Sequence, residues 1–111
     1  MIISGHKAGD TWLGLSAQIF LNGSPFNISG ALIRMQIRKE KSWPSYAYEW
    51  SSTGNSILII DQGTGGSFYI CSGIVDVPAR NYYYDIELQM PDGQVITPVE
   101  GTWDIQETVT R

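Results

Sequence analysis

Two stretches of this chain alternate apolar and polar residues with a period of two. In the first, Ala31, Ile33, Met35 and Ile37 fall on one side while Arg34, Gln36 and Arg38 fall on the other. In the second, Tyr82, Tyr84, Ile86, Leu88 and Met90 alternate with Tyr83, Asp85, Glu87 and Gln89. Successive side chains of a strand point to opposite faces, which a helix cannot reproduce, so both stretches predict half-buried β-strands.

The remaining segments are shorter and are divided by turn residues. Trp12, Leu13, Leu15, Ala17, Ile19, Phe20 and Leu21 predict one long strand that stops at Asn22-Gly23-Ser24-Pro25. Phe26-Asn27-Ile28-Ser29-Gly30 reads as a short extended piece. Lys39 to Ala47 loses the pattern and contains Pro44, which has no N–H for a central ladder, so a projecting loop is expected there. Tyr48-Glu49-Trp50-Ser51, Ser56 to Asp61 and Ser67 to Cys71 are of strand length, and Gly54-Asn55 and Gln62-Gly63-Thr64-Gly65-Gly66 mark turns. Gly73 to Arg80, with Pro78, reads as irregular. Pro91-Asp92-Gly93-Gln94 is a strong hairpin signal. Val95 to Glu100 is expected to pair back across it, Gly101 to break or bulge the chain, and Thr102 to Val109 to supply the last strand with Trp103 and Ile105 on one face. About seven or eight short strands with no room for a helix fit two stacked antiparallel sheets, an all-β sandwich. The same strands would also suit a closed barrel, because periodicity does not report closure.

Composition narrows this further. At 111 residues, with 42% hydrophobic and 16% charged residues and 12 glycines, the chain matches a single domain over residues 1–111, rich in tight turns. Seven basic residues and a net charge of −4 disfavour nucleic acid, which needs clustered Lys and Arg. No apolar run approaches ~18 residues and the N-terminus lacks a signal core, so no membrane partner is expected and synthesis in a cytoplasm is. The single Cys71, beside Tyr69 and Ile70, reads as a small core hydrophobe.

Candidate chemistry is sparse. His6 is the one histidine and falls in an expected N-terminal tail, where a reacting group would be poorly fixed. Asp85 and Glu87 share the polar face of one strand, and Arg34 and Arg38 that of another; were the two strands neighbours, these charges would pair across them. Carboxylates at that spacing fall within glycosidase range by default, which is weak evidence for catalysis. The Gln62 to Gly66 run lacks the Lys-Ser/Thr ending of a phosphate loop, Asp92-Gly93 lacks the alternate oxygens of a calcium loop, and one Cys with one His cannot build a zinc site. Asn22-Gly23-Ser24 and Asn27-Ile28-Ser29 match the glycosylation pattern, but a chain without a signal peptide would not meet the enzyme. No catalytic, cofactor-binding or metal-ligating residue is therefore assigned, and a binding or assembly module is expected in place of an enzyme.

Aromatic residues give the best surface candidates. Trp12, Tyr82, Tyr84 and Trp103 alternate and are read as core. Trp43, Tyr46, Tyr48 and Trp50, in and after the Pro44 loop, form the candidate contact surface, because exposed Trp and Tyr serve protein hot spots and sugar platforms. Packing of this loop back onto the sheets is the competing reading.

Several elements in order carry a family resemblance: Gly9-Asp10-Thr11, Ile28-Ser29-Gly30-Ala31 leading into Ile33 to Arg38, Tyr82-Tyr83-Tyr84-Asp85-Ile86, Pro91-Asp92-Gly93, and Gly101-Thr102-Trp103 running to Val109-Thr110-Arg111. Together they resemble small immunoglobulin-like proteins of the tail and baseplate of tailed bacteriophages and prophages, and are similar to the N-terminal domain of phage upper baseplate proteins. The resemblance spans residues 9–111, and Lys39 to Trp50 is longer and more aromatic than that pattern. It implies an immunoglobulin-like β-sandwich in the virion, made in a bacterial host cytoplasm, without catalytic residues or cofactors. The implied partners are other virion proteins and copies of the chain in a homo-oligomer or symmetric assembly, with a glycan as the alternative ligand of the loop aromatics.

Overall fold

The computed structural model describes residues 2–7, 11–42 and 45–107. Among them run twelve strands and no α-helix: β1 (Ile2–Lys7), β2 (Thr11–Trp12), β3 (Leu15–Gln18), β4 (Phe20–Leu21), β5 (Ser24–Pro25), β6 (Leu32–Arg38), β7 (Tyr48–Ser51), β8 (Ile57–Ile59), β9 (Ser67–Ile70), β10 (Gly73–Ile74), β11 (Arg80–Gln89) and β12 (Val95–Gln106). The chain is all-β. A five-stranded sheet has the order β1-β12-β11-β6-β7 and a three-stranded sheet the order β3-β9-β8, with β2-β10 and β4-β5 as short pairs.

The two alternating stretches become β6 and β11, antiparallel neighbours in the register Ile37–Tyr84, Met35–Ile86 and Ile33–Leu88. Those six side chains are buried and join Phe68, Ile70 and Ile57 of the three-stranded sheet in one core cluster. The inward rows of both sheets thus meet in the same apolar interior, whose burial is the dominant stabilising term of such a domain. Ile28, expected in an extended piece, sits instead in a turn closed by the Ser29 N–H donating to Asn27 Oδ1, and its side chain is wholly buried.

The expected first long strand is broken into β2, β3 and β4. Gly14 interrupts it at φ +87°, a backbone region that L side chains avoid. Further on, Gly66 at φ +74° lies so close to the carbonyl oxygens of Phe26 and Ile19 that a Cβ would sit 2.6 and 2.7 Å from them. Only glycine lets this turn dock there, and its carbonyl accepts the Ile19 N–H.

Three further expectations are corrected. The N-terminal residues read as a tail form β1, which runs parallel to β12 with His6 opposite Ile105, because the free N–H and C=O groups of β12's outer edge accept a further strand. Gly101 does not interrupt the chain: β12 is continuous and Gly101 pairs with Tyr84. The irregularity lies where Ile86 faces Val99 and Leu88 faces Ile96, so Thr97 and Pro98 together oppose Glu87. A bulge there suits Pro98, which has no N–H for the ladder. Cys71 falls just past β9, half-buried, with its thiol 3.9 Å from the Asn55 carbonyl, and is not a core residue. Gly9, Asp10, Pro44 and the expected strand end at 108–109 lie outside the described residues.

Candidate functional site

Of the four aromatics expected at a contact surface, Tyr46 is 51% exposed in the loop between β6 and β7. Trp43 lies outside the described residues. Trp50 is a correction, for it is only 3% exposed. In β7 it pairs with Met35 and Tyr48 with Ile37, and both partners face inward, so the register turns Trp50 and Tyr48 toward the core. The Trp50 ring stacks on Trp103 at 5.6 Å and 10°, Trp12 tilts against Trp103 at 4.7 Å, and half-buried Tyr48 lies 4.6 Å from Trp50. Trp12, Trp50, Trp103 and half-buried Tyr48 thus pack together as one aromatic cluster against the core.

The outer face of the five-stranded sheet is where polar groups converge. Because β6 and β11 are neighbours, Arg34 lies opposite Glu87 and its guanidinium donates to the Glu87 carboxylate at 2.6 Å. One register step away, Glu100, Asp85, Gln36 and Glu49 form a row across four strands. Gln36 is buried, its amide donating to Glu49 and its carbonyl accepting from Arg38. Thr102, Tyr83 and Arg38 make the next row. Between these two rows opens a groove of about 290 Å³ lined by Gln36, Arg38, Lys41, Tyr83, Asp85 and Glu100, with Lys41 reaching Glu100 at 3.4 Å across its mouth.

Asp85 is the perturbed group of this face. Burial raises its carboxyl above the ordinary aspartate range; Arg38 opposes the shift, Glu87 and Glu100 add to it, and Arg34 again opposes. An acid held more weakly ionised in the fold stabilises the fold only while protonated. That contribution is present below the unfolded-state value and is lost as pH rises through the raised one. Asp85→Asn is therefore expected to unfold at higher urea than the parent at neutral pH, with the gap closing as pH falls through the aspartate range. Urea titrations at several pH values measure it, and a parent that gains nothing on acidification relative to the variant contradicts it.

Asp85 and Glu87, weighed as a catalytic pair, have separate partners: Glu87 is bound by Arg34 while Asp85 faces Glu100 and Gln36. Among the described residues no group of three or more His, Cys, Asp or Glu side chains is placed to hold a metal ion. The sequence pointed to Asp85, Arg34 and Arg38 as same-face charges. The alternation also places Tyr83 beside Asp85 on that face, but the sequence gave no signal for Lys41, Glu100 or Thr102, because their proximity depends on the order of the strands.

Comparison with known proteins returns no matching family model, no matching curated protein and no matching solved structure.

Proposed function

We propose that this chain is an immunoglobulin-like β-sandwich serving as a structural or assembly component of a phage virion, in the tail, baseplate, neck or a fibre attachment. It acts through contacts with other virion proteins and with its own copies, and not as an enzyme. Strand order is the observation that carries this reading. Immunoglobulin-type domains place strands C, F and G in one sheet, with C′ beside C in the variable type, and B, E and D in the other. Here β7, β6, β11 and β12 follow one another as C′, C, F and G do, and β3, β9 and β8 as B, E and D. Tyr82, buried at the base of β11, donates its hydroxyl to the Pro78 carbonyl four residues upstream. A tyrosine near the start of strand F makes the same kind of link in immunoglobulin domains. Both features support the fold that the ordered motifs imply.

Contact function has support of its own. β7 and β8 end their sheets, and edge strands are templates on which a partner can add a strand. Leu58 and Ile60 are exposed beside Tyr69 around an open hollow on the three-stranded sheet, a surface suited to a protein partner. In a symmetric particle many modest contacts of this kind add through effective concentration. Negative-stain imaging of particles produced without the gene tests the proposal. Incomplete or misassembled tails with lost infectivity are expected, and intact, infectious particles of normal appearance would overturn it.

A further inference from the structure

The groove on the outer face of the five-stranded sheet has features that an assembly surface does not require. Asp85 and Glu100 stand directly opposite each other on β11 and β12. Like charges in that position destabilise a sheet; here Lys41 offsets them from across the groove, 3.4 Å from Glu100. Two cations, Arg38 and Lys41, border the same groove, and the four charges balance. The floor is fixed in advance, since Arg38 holds the Gln36 carbonyl and Gln36 holds Glu49. One wall is the Tyr83 side chain, 43% exposed on the same row as Arg38 and Thr102.

Each feature constrains the ligand. A balanced set of charges gives no net attraction to an anion or a cation, and any phosphate or carboxylate would meet Asp85 or Glu100. A neutral molecule with many hydroxyls suits both kinds of group: carboxylates accept from hydroxyls, whereas guanidinium and ammonium donate to them. An exposed tyrosine ring offers an apolar body for the C–H face of a sugar ring, with a polar tip beside it. The volume of about 290 Å³ lies at the lower end of small-molecule sites, which limits the occupant to about one ring. We propose that this groove binds a single neutral pyranose unit, free or at the end of a glycan, with Asp85 and Arg38 as the hydroxyl partners and Tyr83 as the stacking wall.

The proposal goes beyond the assembly role, and its test uses the isolated chain, so either can fail alone. Uniformly 15N-labelled protein is titrated separately with glucose, galactose, mannose, N-acetylglucosamine and inorganic phosphate while amide shifts are followed. Saturable shifts at residues 36–41, 83–85 and 100–102 with at least one neutral sugar, and none there with phosphate, are expected. Tyr83→Ala, at an exposed position that spares the core, and Asp85→Ala are each expected to weaken binding by about tenfold or more. Asp85→Asn, which keeps the shape but replaces a charged acceptor oxygen by a donor, serves as the second variant should Asp85→Ala unfold, with weakened binding again expected. No saturable shift with any neutral sugar, shifts with phosphate alone, shifts confined to other residues, or variants that bind as the parent does would each overturn it.

Discussion

Trp103→Ala is expected to cost about 3–5 kcal/mol of folding stability, the range for removing a large aromatic from a packed interior. Its indole has no exposed surface and is the hub of the aromatic cluster, in ring contact with Trp50, Trp12 and Tyr84. β12 pairs it with Tyr82, also fully buried, so the backbone on both sides is fixed by the sheet and cannot collapse into the space left behind. The energy lost is therefore both the transfer of the ring and the cavity that persists. A domain of this size has about 5–15 kcal/mol in total, so the substitution removes a large fraction and lowers the melting temperature by more than ~10 °C. Thermal and urea unfolding followed by far-ultraviolet circular dichroism measures it. A loss under ~1 kcal/mol would mean that the four rings do not form the centre of the core.

The cluster also explains why two of the four surface candidates, Trp50 and half-buried Tyr48, face the core. Tyr48 and Trp50 are two apart and share a face, but they adjoin a polar, Pro44-containing stretch whose loop character masks that signal. What decided their orientation was the pairing of β7 with β6, a relation across the loop that no local pattern states. The N-terminal strand was hidden for a related reason. Its partner is β12, about a hundred residues away, and a parallel pairing leaves no hairpin turn between the two strands to announce it.

By contrast, β6, β11 and the Pro91 to Gln94 hairpin were legible because alternation and turn chemistry are local properties. Even the Arg34–Glu87 ion pair follows from the same-face charges once the two strands are neighbours. The groove was not foreseeable as a groove. Its walls come from residues 36–41, 83–85 and 100–102, and only the order β12-β11-β6 brings them onto one surface.

Sheet polarity links fold to function here: one face of β6 and β11 is interior, and the other is the surface that carries the groove and its charges. Ile86 and Arg34 sit on those two faces, one wholly buried opposite Met35 and the other half-exposed opposite Glu87. Ile86→Ala leaves a hole between two sheets and is expected to cost roughly 2–5 kcal/mol. Arg34→Ala removes a solvent-screened ion pair and is expected to cost under ~1 kcal/mol. Equilibrium urea unfolding of the two variants beside the parent is the most direct test. A large loss for Ile86 with a small one for Arg34 is the predicted result. Equal losses would mean that both faces of β6 and β11 are covered, and the two-faced sheet with its open groove would be contradicted.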